Sequence, residues 1–336
     1  MGNIDITIAG GDYDRTRPIA DGRVAVDGCN VTYLKMQPQE LFFRAIRYAE
    51  FDVTELSISS YMLQVRRGVS PYTAIPVFLS RSFRHSNAFI RTDRGIKSPA
   101  DLKSKVVGCP EYQLTAAVWL RGLLKDDHGV ESWDMKWRTG GLEVPGREER
   151  TPITLPPEYD YAPIGNRTLS DMLEKGDIDA LISPHDPSCL KRGAPNVARL
   201  WPDYRSEEQA YYKRTGVFPV MHLVAIKKAL VAKYPWLPLT LYKAFSKAKD
   251  IAIEDLKFRT VPTATLPWLQ AEVEATEASM GKDFWPYGFA RNRDVLEKLI
   301  RYSSEQHLAE PGLKPEDLFD ETTLAPMPGE SPAPKK

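Results

Sequence analysis

Residues 51–65 read Phe51-Asp52-Val53-Thr54-Glu55-Leu56-Ser57-Ile58-Ser59-Ser60-Tyr61-Met62-Leu63-Gln64-Val65. The first six make a strand, rich in apolar and β-branched residues. Ser57, Ser59 and Ser60 then offer N-caps for a helix running through Met62 and Val65. Tyr72 to Leu79 is the next strand. Upstream, Ile4-Asp5-Ile6-Thr7-Ile8 alternates and meets Gly10-Gly11, and Val31 to Leu34 is a further strand. Pro38 opens a helix with Leu41, Ala45 and Tyr48 on one face. Such β-α-β-α alternation predicts a parallel sheet with helices on its faces.

The pattern repeats downstream. Asn87 to Arg91 is a short strand, Ser98 to Leu102 caps a helix, and Val106 to Gly108 is a strand. The loop 109–115 opens a helix carrying Ala116, Val118, Leu120 and Leu123. Residues 139–165 are rich in Gly, Pro and charge and read as a long loop with one edge strand. Leu169 to Glu174 is a helix and Ala180 to Ile182 a strand. Val220 to Ile226 is one more strand, and helices follow from Leu237, near 266–280 and near 292–308.

A chain of 336 residues is long for one core, so two lobes are expected. Each is expected to be a mixed, mostly parallel α/β sheet flanked by helices, with a cleft between. Lobe 1 takes residues 1–91 and 219–321, and lobe 2 takes 92–218. The hinge falls near 88–92 and 216–220. The proline-rich tail, 322–336, is expected to be disordered.

Lys+Arg and Asp+Glu both number 45, for zero net charge. Nucleic acid wants a basic face, so it is excluded as a partner. No basic n-region or apolar h-region opens the chain, and no run nears 18 apolar residues. The expectation is a cytoplasmic protein with no membrane contact. Cys29, Cys109 and Cys189 are too few and too scattered for a disulfide framework or a zinc site. Homo-oligomerisation is left open.

In open α/β sheets ligands sit beyond the carboxyl ends of strands. Arg81 and Phe83-Arg84-His85-Ser86-Asn87 lie there. Arginine presents a planar fork that matches a carboxylate, and histidine moves a proton near neutral pH. An anion clamp with a proton donor is one reading; a solvated loop of charges is the other. Loop 10–17 adds Gly10-Gly11, Arg15 and Arg17, or else is a surface turn with Asp–Arg pairs. Tyr112, Gln113 and Thr115 stand at a helix N-terminus, where amides and the dipole favour an anion; plain capping would explain them too. Glu55 stands at the end of the third strand, and Ser60 lies in the stretch after it. His222 lies in an apolar strand, and His185-Asp186 follows another. GxGxxG, P-loop, HExxH and Gly-x-Ser-x-Gly motifs are absent. The spacing of His85, His185, Asp186 and His222 matches no standard metal set.

Several stretches together resemble the 4,5-dihydroxyphthalate decarboxylase family, from about residue 4 to 320. They include Tyr13-Asp14-Arg15-Thr16, Phe51 to Glu55, Ser59-Ser60-Tyr61, Phe83-Arg84-His85-Ser86, Pro110 to Trp119 and Thr139 to Glu143. Tyr204-Arg205, Tyr211-Tyr212, Phe218-Pro219, Met221-His222 and Asp283-Phe284-Trp285-Pro286-Tyr287-Gly288 complete the match. His185-Asp186 lies outside it. The resemblance implies a fold like type II periplasmic binding proteins and a carbon–carbon lyase of phthalate breakdown. The substrate is then a small aromatic dicarboxylate, converted to protocatechuate and CO2. Two other functions share the fold: a receptor for an organic acid, and a cytoplasmic enzyme acting on another acid.

The chemistry needs an acid, a base and charge neutralisation. His85 is the expected acid, His222 a second proton-transfer group and Glu55 a base. Arg15, Arg17, Arg81 and Arg84 form the expected clamp, with Ser60, Tyr112, Gln113 and Thr115 binding substrate. No cofactor is required by this chemistry, although a catechol could chelate a divalent metal.

Overall fold

The computed structural model describes residues 2–258, 260–309 and 311–327. Strand β1 (Ile4–Gly10) buries Ile6 and Ile8 on one face. Helix α1 (Arg17–Ala20) is one turn, and β2 (Cys29–Lys35) follows. Helix α2 (Pro38–Tyr48) starts at Pro38 as read, and Leu41, Phe42 and Ala45 are its buried residues. Tyr48, expected on that face, is 63% exposed. Phe42 takes the third buried position, and the helix ends at Ala49 in the left-handed region, φ 47°. Strand β3 (Val53–Ser57) and helix α3 (Ile58–Arg66) are buried almost throughout. Strand β4 (Tyr72–Arg81) closes this stretch.

Next come β5 (Ala88–Arg91), β6 (Val106–Cys109), α4 (Thr115–His128), β7 (Lys136–Thr139) and β8 (Tyr161–Pro163). They are followed by α5 (Leu169–Lys175), β9 (Ala180–Ile182), α6 (Ser188–Lys191), β10 (Val197–Arg199) and α7 (Tyr204–Thr215). The chain finishes with β11 (Val220–Lys227), α8 (Lys228–Lys233), α9 (Leu237–Lys257), α10 (Leu269–Met280) and α11 (Phe289–Glu305).

Two compact units result. The first holds residues 1–81, 220–297 and 314–336, and the second 82–219 and 298–313. The first sheet has the order β2-β1-β3-β11-β4. β1 runs parallel to β2 and β3, whereas β11 is antiparallel to β3 and β4. The alternation of the first 80 residues correctly implies its parallel pairs. The antiparallel strand enters after more than a hundred intervening residues, which a local pattern cannot orient. The β11–β4 register is irregular on both sides of His222, and such breaks re-aim side chains.

The second sheet has the order β10-β5-β9-β6-β7-β8. Phe89, Leu169, Leu173, Ile178, Leu181 and Cys189 form its buried cluster. Residues 82–91, expected in lobe 1, belong here because β5 pairs with β9 and β10. Residues 298–313 belong here too. A Cβ on Gly122 would lie 2.2 Å from the Tyr302 ring, and Arg121 Nε donates to Gln306 Oε1 at 2.7 Å.

Helix α7 was not read from the sequence. Only Tyr211 is buried along it, so no apolar stripe marks it. Asp203 caps it through the Ser206 amide, and Gly216 ends it at φ 65°. In the expected tail, Glu321–Thr323 form a 3-10 turn and Thr323 is buried. Residues 328–336 of that tail lie outside the described residues. The three cysteines are unpaired and buried. Among the described residues no helix is long and apolar enough to cross a membrane.

Candidate active site

In the first unit, Gly10 and Gly11 end β1 beside the middle of β3. A Cβ on Gly10 would lie 2.6 Å from the Tyr33 hydroxyl, so the close approach needs glycine there. It lets the Gly11 amide donate to Glu55 Oε2 at 2.9 Å. The Tyr13 hydroxyl donates to Glu55 Oε1, also at 2.9 Å. His222 Nδ1 lies 2.7 Å from that same oxygen. Burial alone would raise the Glu55 pKa. The His222 bond and charge, with the Gly11 and Tyr13 bonds, outweigh it and hold the carboxyl below its ordinary value. Burial and the neighbouring carboxylate push the Tyr13 phenol up, so it stays a donor.

The His222 side chain is 20% exposed, against none for Glu55. Phe42 meets its ring edge-on at 4.8 Å. With Nδ1 held by the carboxylate, Nε2 is the ring nitrogen left for chemistry.

Arg15 extends this group. Its guanidinium lies 4.3 Å from the Tyr13 ring centroid and 4.4 Å from that of Trp285. Nε donates to the Leu79 carbonyl at 2.7 Å, Nη2 donates to the same oxygen, and Nη1 reaches Asp14 Oδ1 at 3.0 Å. A chain of contacts therefore runs Arg15–Tyr13–Glu55–His222 within one unit. Neither Tyr13 nor Trp285 is marked as a site residue by the sequence. A ring that holds a carboxylate or flanks a guanidinium leaves no periodic mark.

The other expected residues of this unit are placed differently. Arg17 is exposed and paired with Asp12 at 3.0 Å. Ser60 is buried in the first turn of α3. Arg81 is buried, donating to the Pro286 carbonyl at 2.7 Å and to Asn292 Oδ1. Its guanidinium ties β4 to α11 instead of facing outward as an anion clamp.

In the second unit, His85 is buried against Trp201 and Tyr211, with ring centroids at 5.2 and 5.5 Å. Its Nδ1 stands 4.0 Å from Glu208. Burial pulls its pKa down to about 4, which disfavours the imidazolium form expected of the acid at neutral pH. It borders a cavity of about 470 Å³ with Asp127, His128 and Arg214. Arg84 donates to Asn87 Oδ1 at 3.0 Å. Burial lowers its pKa to about 10, Glu208 opposing.

Loop 109–115 was expected to cradle a ligand's anion, yet the chain supplies one itself. The Tyr112 amide donates to Glu149 Oε1 and the Gln113 amide to Oε2 at 3.4 Å. Burial pushes the Glu149 carboxyl up to about 7. The Gln113 side chain donates to Glu111 Oε2 at 2.8 Å. Glu111, buried, also receives Arg147 and Arg150. Tyr112 lies under the Arg121 guanidinium at 3.7 Å, and Thr115 opens α4. Asp186 pairs with Arg199 at 2.7 Å. Among the described residues no three His, Cys, Asp or Glu side chains are grouped to hold a metal.

No family model matches the chain. The 4,5-dihydroxyphthalate decarboxylase of Comamonas testosteroni is 43% identical over 326 residues, covering 96% of this chain and 98% of the relative. That of Pseudomonas putida is 46% identical over 215 residues, covering 63% and 83%. Among solved structures, a putative periplasmic sulfonate-binding protein SsuA from Methylobacillus flagellatus aligns with TM-score 0.57 at 13% identity, covering 96% of this chain and 94% of its own. The periplasmic aliphatic sulphonate-binding protein SsuA from Escherichia coli aligns with TM-score 0.51 at 12% identity, covering 100% and 97%. At such identities the likeness carries the fold alone.

Proposed function

The chain belongs to the 4,5-dihydroxyphthalate decarboxylase family, and on that premise we propose that it is a carboxy-lyase converting 4,5-dihydroxyphthalate to protocatechuate and CO2. In this substrate each carboxylate lies para to a hydroxyl. Loss of the phenolic proton to solvent water raises electron density on the para carbon. Protonation of that carbon gives a dienone, and cleavage of the carbon–carboxylate bond returns the electron pair to the ring as CO2 leaves.

The observation that carries the reading is the buried Glu55 carboxylate 2.7 Å from His222 Nδ1. A buried carboxylate stabilises imidazolium and fixes the ring. We assign protonation of the ring carbon to His222, through Nε2. Glu55, charged and fully engaged by donors, orients that imidazole and does not serve as the base. Arg15 is assigned to the carboxylate that stays. The leaving carboxylate should be the less tightly paired one, since a strong ion pair would stabilise the ground state. Acid–base assistance of this kind contributes about 10²–10⁴-fold.

The cytoplasm is the proposed compartment, supported by three buried thiols that stay unpaired. The test is incubation with 4,5-dihydroxyphthalate while following CO2 and protocatechuate. Stoichiometric release of both is expected. Tight binding without turnover would instead identify a receptor.

A further inference from the structure

We propose that Tyr13 is a positioning residue for the proton-transferring pair, its hydroxyl fixing the Glu55 carboxylate in the orientation that grips His222. The inference rests on the reading above, in which His222 moves the proton.

Three donors hold this buried carboxylate. The Gly11 amide takes Oε2 at 2.9 Å. Tyr13 and His222 share Oε1, at 2.9 and 2.7 Å. The terminal torsion of a glutamate is broad and soft, so one pinned oxygen leaves the other free to swing. Tyr13 gives Oε1 a second anchor that comes from the loop after β1 and not from β11. The acceptor therefore stays aimed whichever way the imidazole tilts.

The second effect is electronic. A hydroxyl that shares Oε1 draws charge from it and weakens its pull on the His222 Nδ1 proton. Tyr33 donates to the Gly11 carbonyl at 3.1 Å, Phe42 packs on the imidazole, and Arg15 lies on the Tyr13 ring. Asp12 acts on Tyr33 from the same loop. Tyr13 thus serves both assigned groups: its oxygen steadies the proton pair and its ring face carries the carboxylate fork.

Tyr13→Phe removes the oxygen and keeps the ring under Arg15. In this variant kcat is expected to fall about tenfold, the scale of one charge-assisted hydrogen bond, with KM within about twofold. The low-field proton magnetic resonance of the His222 Nδ1 proton should move further downfield. In a Glu55→Gln background the same change should add less than about twofold, because the two act as one unit. A 3-fluorotyrosine placed at position 13, a stronger donor of nearly the same shape, should move the resonance the opposite way. An unmoved resonance in both position-13 variants overturns the inference. If the wild-type protein releases no CO2, the decarboxylase reading falls, while the resonance still decides whether Tyr13 acts through Glu55.

Discussion

The carboxylate of Glu149 accepts the backbone amide of Tyr112 just ahead of α4. Its other oxygen takes the Gln113 amide at 3.4 Å. Free amides and the helix dipole favour any anion at such a position, and here the chain's own loop provides it. These amides, with the Tyr161 hydroxyl donating to Oε1 at 3.3 Å, do not offset burial, and the nearby Glu111 charge adds to the penalty. The carboxyl therefore titrates at about 7.

That value gives stability a pH dependence. The folded pKa lies above the ordinary 4.5, so the native state binds this proton more tightly than the unfolded chain. Stability from this group is fully present below about 4.5 and is lost as pH rises through about 7, by on the order of 1–3 kcal/mol. Glu149→Gln should flatten that fall. Urea unfolding at pH 5, 6, 7 and 8 measures it, and parallel curves for the two proteins would refute the assignment.

His222→Gln should lower turnover by at least about 10²-fold while leaving the substrate dissociation constant within a few fold. Calorimetric binding beside a CO2 assay separates the two. A variant retaining a tenth of the wild-type rate would remove His222 from the proton path.

Arg15→Ala should weaken substrate binding by about tenfold or more, as expected for a lost charge-assisted contact. Arg15→Lys should recover little. A lysine cannot lie flat between Tyr13 and Trp285 or donate twice to the Leu79 carbonyl. Equal dissociation constants for wild type and Arg15→Ala would exclude it from the site.

Arg81→Ala should act on folding. It strands Asn292 Oδ1 and leaves the Pro286 carbonyl to the Asn292 side-chain amide at 3.2 Å, at about 1–3 kcal/mol for an unsatisfied buried partner. Thermal unfolding should register this while affinity per folded molecule holds. Lost affinity at unchanged stability would return Arg81 to the clamp.

His85, with its pKa drawn down to about 4, should contribute no limb to the pH profile of turnover between 5 and 8. His85→Asn is therefore expected to keep both limb midpoints. A limb that vanishes in the variant would show that His85 titrates in the working enzyme.

Local patterns made the strands around Glu55 legible, because alternation and serine caps mark β3 and α3 directly. The stretch Phe51 to Glu55 and the Met221-His222 pair were both singled out, but their meeting was not. Which residues of β3 and β11 face each other depends on register, and the break beside His222 has no sequence signature. Arg81 and Arg84 share a chemistry, yet one is tied to Asn292 and the other to Asn87. Only packing from residues 286–292, two hundred positions away, distinguishes them. The amides of Tyr112 and Gln113 hold a carboxylate, but it is Glu149 of the same chain and not a ligand's, which no local pattern could say.

Loop 139–165 looks replaceable, given its glycines, prolines and charges, and surface loops usually tolerate exchange. The traffic of charge here forbids it. Arg147 and Arg150 are the counterions of Glu111, which is buried at 1% exposure, while Glu149 answers the amides in return. A homologue's loop grafted without both halves of this exchange would leave an orphaned buried anion. Any chimera across this boundary must therefore carry positions 111 and 147–150 together as one cassette.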